Sequence, residues 1–419
     1  MIKSTTIYIK EANKTKSEAL GAFCTAYRNA VAFYVKYYFS LRFAKVSDHS
    51  SLEKLSTPKF YPYSVEPKSI LSGRALKCAK TQAIGLISAA TKKQQKRVYM
   101  LQKLNKEQND TRNLLRVINK TRIIKPHVPL ALPAELNSII MSCSASHSAK
   151  HFDLAFDFSS LFSKAHKAKL GFNKFTVLAK KHKHCNSLAS RGRQMPSFLV
   201  TKYQIQIRFD IPDAPKVQSG QVLGIDQGAK TCISCSTASG AWYSSSKCPH
   251  GWDMDSIMQK LSRKTKGTKA FARAQAHRAN YINYCINKLN LNGIKELRLE
   301  KIVDLRKGKT SSRYLSHFTY TEIQNKLKDK CIQNGVRFVL QESPYRSQRC
   351  SSCGFVHAKN RNGKTFKCSS CGFTADADLN ASANHVVNLP DLDRSVVGFF
   401  NKTLGFRWNP GFDGPYSAI

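Results

Sequence analysis

Residues Ser4 to Ile9 alternate polar and apolar side chains as a half-buried strand does, and beyond them the period changes. Leu20, Phe23, Cys24, Tyr27, Val31, Tyr34, Val35 and Tyr38 recur at steps of three and four, which predicts a helix with one apolar stripe. Thr15 and Glu18 have the spacing of a capping box at its start. Tyrosines on such a stripe are expected in a packed core before a base-stacking surface. After the Pro-containing stretch Thr57 to Pro67, the segment Ile70 to Ile118 reads as long basic helices, with Lys92 to Arg97 on the exposed side. Pro126, Pro129 and Pro133 close this helical unit of residues 13–124. Strand character returns in Phe198 to Phe209, with strict alternation from Tyr203. The charged stretch from Lys164 to Arg193 is equally a solvated loop or part of a nucleic-acid groove. A Pro-Asp-Ala-Pro linker, Pro212 to Pro215, precedes the last segment.

That segment opens on Val222-Leu-Gly-Ile-Asp226, a short apolar run ending in a carboxylate, then Gly228 and the strand-like stretches Thr231 to Ser236 and Ala241 to Ser244. The order predicts a β-meander of the kind that opens an RNase H-like fold. An acid at the edge of a buried sheet is costly unless a cation balances it. After a basic helical region, Ser256 to Leu289, a second strand runs from Glu296 to Glu300. Its alternation puts Leu297 and Leu299 on one face and the two glutamates on the other. Glu300 is the stronger candidate because it stands at the strand end, next to the loop Lys301 to Lys309. The bland reading of any one such glutamate is a surface ion pair. The third candidate, Asp378, begins a helix rich in small residues, Ala375 to Asn384. Three acids from distant parts of one domain can hold two divalent ions for phosphodiester hydrolysis, and the set is more specific than its members.

Just before Asp378, Cys350-Ser-Ser-Cys353 and Cys368-Ser-Ser-Cys371 form two knuckles, each followed by Gly-Phe. Four thiolates at that spacing predict one closed, structural zinc site with no open position for catalysis. Cys232 and Cys235 have the same spacing but lie on a predicted strand, where residues three apart face opposite ways, so they predict no metal site. Cys248 and His250 lack two clear partners.

Composition narrows the function. The 419 residues allow two or three packed domains, and 68 Lys and Arg against 26 Asp and Glu give a formal charge of +42. Self-repulsion on that scale points to a polyanionic partner. No apolar run approaches the roughly 18 to 20 residues of a spanning helix, and the start has no signal-peptide pattern, so an intracellular protein is expected. Thirteen cysteines, an odd number in so long a chain, are expected to be mostly reduced thiols.

The motif order resembles the RuvC nucleases TnpB, their miniature type V CRISPR relatives and the eukaryotic Fanzor proteins. The resemblance lies in Gly224-Ile-Asp226-x-Gly228, Leu261 to Gly267, Leu297-Arg-Leu-Glu300, Ser343-Pro-Tyr-Arg-Ser-Gln348, the four cysteines and Ala377-Asp378-Leu-Asn380-Ala381. It covers roughly residues 221–385, with only architectural likeness upstream. It implies a multidomain α/β protein: a β-barrel wedge domain (1–12 and 125–220), a helical recognition domain (13–124), and an RNase H-like RuvC nuclease domain (221–419). The last would carry a zinc-ribbon insert that binds target nucleic acid (343–375). It also implies catalytic acids Asp226, Glu300 and Asp378 holding two magnesium ions, zinc on Cys350, Cys353, Cys368 and Cys371, a guide RNA and target DNA as partners, and cleavage of the DNA. Some compact relatives act as pairs, which leaves a homodimer open. The expected location is cytoplasmic and nucleoid-associated, or nuclear in a eukaryote. Two departures are Lys301, where relatives often have Asp, and His385 at a usually apolar position; the helical insert between Ala241 and Leu289 is also short. Two rival readings remain, an RNA-guided repressor that does not cut and a non-catalytic basic zinc-ribbon RNA-binding protein.

Overall fold

A computed structural model describes residues 1–9, 13–45, 69–106, 125–146, 151–172, 174–302, 312–342, 344–392 and 394–412. The expectations placed on Thr57 to Pro67, on 107–118, on Ser343 and on most of the loop Lys301 to Lys309 fall outside these residues. The chain divides into two compact units, Met1–Pro212 and Asp213–Ile419.

In the first unit, β1 (Ile2–Tyr8) starts two residues earlier than its alternation suggests. Helix α1 (Lys14–Lys45) buries the predicted stripe, with Leu20, Phe23, Tyr27, Val31, Tyr34, Val35 and Tyr38 in the core and Cys24 at its margin. Tyr27 also donates its hydroxyl to the Glu135 carbonyl, so the packing reading of these tyrosines holds. The cap is not the predicted one. Asn13 accepts the Thr15 backbone N–H at 2.9 Å, two residues before the expected start. Helix α2 (Gly73–Lys106) packs along α1 and contributes Ala79, Ala83 and Ile87.

The strands of this unit make two antiparallel sheets. One has the order β1-β7-β6-β2, with β2 Ala134–Asn137, β6 Arg193–Val200 and β7 Gln204–Asp210. The other has the order β3-β4-β5, with β3 Met141–Ala145, β4 Leu154–Ser159 and β5 Lys174–Ala179. Among the described residues their ladders are separate, not one closed ring, although both sheets share a core that includes Phe156, Phe158, Phe198 and Ile207. Phe198 to Phe209 is a hairpin, not one strand; the backbone of Thr201 closes the turn on the Gln204 carbonyl at 2.9 Å. The charged stretch after Lys164 folds as two short helices, α3 (Lys164–Leu170) and α4 (Lys183–Ala189), around β5.

The second unit is built on a five-stranded sheet of order β10-β9-β8-β11-β12. Strands β8 (Gln221–Gln227), β9 (Ile233–Thr237) and β10 (Gly240–Ser244) are the predicted meander, antiparallel throughout. Helices α5 (Met254–Ser262) and α6 (Lys269–Lys288) follow, then β11 (Ile294–Glu300), parallel to β8. Helix α7 (Tyr320–Gln333) leads to β12 (Arg337–Gln341), parallel to β11. Leu223, Ile225, Leu297 and Leu299 bury one face of the sheet in a core with Ile282, Ile323 and Leu327. Cys232 and Cys235 lie in the same core as small apolar residues.

The polypeptide then passes through the ribbon, made of β13 (Phe355–Val356), β14 (Arg361–Asn362), β15 (Thr365–Lys367) and β16 (Thr374–Asp376). It returns as α8 (Ala377–Val386), which covers the other face of the sheet. Helix α9 (Arg394–Lys402) and β17 (Phe406–Arg407) complete the unit, β17 pairing with β13. Gly224 and Ser236 lie under α8, and Ser236 Oγ meets Ser382 Oγ at 2.6 Å and reaches the Leu379 carbonyl. The small residues predicted to permit close packing are therefore matched by small residues on the sheet. No helix among the described residues is long and apolar enough to cross a membrane.

Candidate nuclease site

Sheet topology brings the three predicted acids to one end of the second unit. Asp226 is the penultimate residue of β8 and Glu300 the last of its parallel neighbour β11, where Leu299 pairs with Ile225. Asp378 enters from the first turn of α8 and is only 6% exposed. Asp226 feels the other two carboxylates. Asp226 is pushed up to about 7, first by burial, then by the charges of Asp378 and Glu300, with Arg361 and Lys364 opposing. Burial also raises Glu300, and the Arg346 guanidinium opposes it. The backbone oxygen of Glu300 is held from two sides, by the side-chain amides of Gln324 at 3.1 Å and Gln227 at 3.4 Å.

The other glutamate of β11 takes the bland role. Glu296 is tied to Arg298 at 2.5 Å and to Arg337 at 3.4 Å, so its charge is already balanced. Asp376 is also accounted for. It is the N-cap of α8, its Oδ1 accepting the backbone N–H groups of Asp378 at 2.9 Å and Leu379 at 3.1 Å.

The basic loop between the two knuckles supplies partners that its sequence does not advertise. Arg361 bonds Asp378 Oδ1 at 2.8 Å, and the ammonium of Lys364 bonds Asp378 Oδ2 and Thr231 Oγ1. In a chain of charge +42, two more cations in a polar loop give no contrast. A cavity of about 310 Å³ opens here, lined in part by Gly228, Lys230, Tyr314, Arg361, Lys364 and Asp378.

The knuckles converge as predicted. All four sulfurs lie within 4.8 Å of one another, with Cys350 to Cys371 at 3.8 Å and Cys353 to Cys368 at 3.7 Å. A tetrahedral zinc with Zn–S near 2.3 Å requires sulfurs about 3.8 Å apart, so the donor set fits that ion. Gly354 and Gly372 take positive φ, 80° and 74°, where each knuckle turns. Burial pushes the Cys350 thiol up to about 12, whereas the Phe373 backbone N–H is the main group holding Cys371 down, to about 7. Among the described residues this is the one such cluster of potential ligands. The acids are neighbours without being drawn so tightly together, and Cys232, Cys235, Cys248 and His250 form no group.

A buried polar hub joins the ribbon to the helix that carries Asp378. Arg349, the residue before the first ligand, donates Nη1 to Asn384 Oδ1 at 2.5 Å and Nε to the Trp408 carbonyl at 2.6 Å. Its own carbonyl accepts from Asn380 at 2.8 Å and from Asn384 at 2.6 Å. Asn380 Oδ1 accepts the Ser351 N–H inside the knuckle. Arg346, brought round by the positive φ of Tyr345 (65°), donates to the Asn384 carbonyl at 2.5 Å. Arg346 and Asn380 stand within the quoted motifs, yet nothing in their spacing distinguishes a buried hub from a surface helix. His385, one of the two departures, is buried with Nδ1 at 3.2 Å from Gln341 Oε1, and burial lowers it to about 3, so it is neutral.

The second unit thus combines a five-stranded α/β sheet, a helix seated on it through small residues and a four-cysteine ribbon. Residues 320–385 match the model of the Cas12f1-like TNB domain. CRISPR-associated endodeoxyribonuclease Cas12f1 of Sulfoacidibacillus thermotolerans is 30% identical over 118 residues, 28% of this chain and 27% of that protein. The Cas12f1 endodeoxyribonuclease of Syntrophomonas palmitatica is 33% identical over 108 residues, 26% of this chain and 20% of that protein. The aligned parts thus span 27% and 20% of these relatives' own length. A cryo-EM structure of a Cas12f1–sgRNA–target DNA complex matches the fold with TM-score 0.52 and 14% identity, over 89% of this chain and 83% of that one. The resemblance to miniature type V effectors and their TnpB-like kin therefore holds in a family domain, in sequence and in fold.

Proposed function

We propose that this chain is an RNA-guided DNA endonuclease whose RuvC domain, residues 221–419, cuts with Asp226, Glu300 and Asp378. The observation that carries the reading is the convergence of these acids: Asp378 and Glu300 add to the cost of ionising the buried Asp226, and Asp378 lines a cavity with Lys230, Arg361 and Lys364. A buried carboxylate beside two others is what divalent cations relieve, and the donor chemistry suits magnesium. Two bound magnesium ions would activate water and stabilise the leaving oxygen. The protein's part is to aim the acids, through the strand ends and through the hub that anchors α8. Arg361 and Lys364 balance the charge of Asp378 and are placed to meet a DNA phosphate. The relatives' name as endodeoxyribonucleases and the sgRNA and target DNA held by the structural neighbour support the same assignment.

On this reading residues 1–12 and 125–220 are the wedge, 13–124 the recognition domain and 343–375 the target-nucleic-acid-binding ribbon, with α9 and β17 buttressing the ribbon. Pairing of guide with DNA supplies the sequence specificity, and the protein reads backbone shape and a short flanking motif. The RNA-bound chain incubated with duplex DNA matched to its RNA should cut in magnesium and stop in chelator. Intact DNA in both would refute the proposal.

Two further outcomes follow from composition and from the ribbon. Elemental analysis of the folded, desalted chain should return one zinc, and replacing Cys353 by Ser should lower both the zinc content and the melting temperature. Folded chain free of zinc would contradict the ribbon. RNA affinity should fall by about 10³ between 50 and 200 mM salt, because many Lys and Arg contacts release counterions. A flat salt response would contradict a basic channel.

A further inference from the structure

The cavity that Asp378 lines has two unlike walls. One is charged, formed by Lys230, Arg361, Lys364 and Asp378; the other is formed by Tyr314 and Leu315, which the cleavage chemistry does not use. Leu315 is 40% exposed, an apolar side chain presented to the cavity instead of the core. Tyr314 is half-buried and anchored, its hydroxyl 2.6 Å from Asp255 Oδ1 and 2.9 Å from the Ala229 carbonyl. The first bond ties it to α5, and the second to the turn that follows Asp226. A ring held at its far end cannot swing out of the wall. Gly228 and Gly363 line the space without adding side chains to it.

We infer that this cavity is a one-nucleotide subsite: the base next to the cleaved phosphodiester lies against Tyr314 and Leu315, while its phosphate faces Lys364 and Arg361. The inference rests on the nuclease reading above and adds what the site grips. Its volume of about 310 Å³ is at the small end of ligand pockets, which admits one nucleotide of a single strand and not a stacked pair. Contact of a base with an aromatic or apolar face tolerates any sequence, as an enzyme that takes its specificity from pairing requires. Asp255 is a positioning residue here, acting through Tyr314.

The test uses the RNA-bound chain and matched DNA in which one abasic residue is walked through the positions flanking the mapped cut. For the wild type, one position should slow cutting about ten-fold, at the low end of what a stacked base contributes. Leu315→Ala, an exposed change that leaves the fold intact, should cut the natural strand several-fold more slowly and lose most of its sensitivity to that abasic residue. Tyr314→Leu should behave alike, and Tyr314→Phe, which keeps the ring but loses the bonds that hold it, should fall between Tyr314→Leu and the wild type. A wild type indifferent to abasic residues at every position overturns the subsite, as do Leu315→Ala and Tyr314→Leu variants as sensitive as the wild type. A wild type that leaves even the natural strand uncut refutes the nuclease reading itself, a different result from either.

Discussion

Replacing Asp226, Glu300 or Asp378 by Ala should each lower magnesium-dependent DNA cleavage by about a thousand-fold or more, roughly 4 kcal/mol of lost transition-state stabilisation. RNA retention and target binding should be nearly unchanged, because a broad basic surface holds the polyanion. Asp376 is the internal control, for a reason different from the one its spacing suggests. Two residues before Asp378, it would occupy a different face if both lay on one helix; in fact it is the residue outside the helix whose side chain caps it. Asp376→Asn keeps a capping oxygen and should cut at close to the wild-type rate, whereas Asp376→Ala should lose about 1 kcal/mol of stability. Glu296→Gln should likewise disturb the Arg298 and Arg337 pairs and spare cleavage. An inactive Asp376→Asn together with an active Asp378→Ala would show the third acid to be misassigned.

The second large effect is expected from a single methyl group. In Gly224→Ala the added carbon would be driven into the Ser382 carbonyl oxygen and lie 2.9 Å from the Val386 nitrogen and 3.0 Å from His385 Cβ. Two of those atoms are backbone, so the helix itself must move. Overpacking of this kind costs about 1 to 3 kcal/mol, which a domain of this size survives. Activity should suffer more than stability, since a displacement near 1 Å of a group that must be aimed can cost about a hundred-fold in rate. Circular dichroism with an intact melt, beside cleavage reduced about a hundred-fold, is the expected pair of results. Full activity in Gly224→Ala would show that the seating of α8 on β8 does not govern the placement of Asp378.

What was legible in the chain depended on whether a residue's role follows from its neighbours in sequence. Alternation placed β7 and the burial of Leu297 and Leu299, and three-and-four spacing placed the stripe of α1, because periodicity and burial have one cause. The knuckles were legible because four sulfurs and two turning glycines leave little freedom. Periodicity does not name partners, however. It could not divide Phe198 to Phe209 into two strands at Thr201, nor show that the strands of the first unit bond as two sheets. The start of α1 was misplaced because Asn13 and Thr15 are both good capping residues two positions apart, and the spacing from Thr15 to Glu18 pointed to the second while Asn13 makes the cap. Arg361, Lys364, Asn384 and Arg349 matter through contacts with residues 14 to 133 positions away, which one sequence cannot display.

The RNA that copurifies with the full chain offers the most direct measurement. It should be sequenced, its variable end exchanged for one matching an unrelated duplex, and the reassembled complex given both DNAs in magnesium. A guided nuclease should retain one discrete RNA species and, after the exchange, cut the new duplex and not the old. A heterogeneous RNA population with neither duplex cut, or cutting that ignores the exchange, would contradict it.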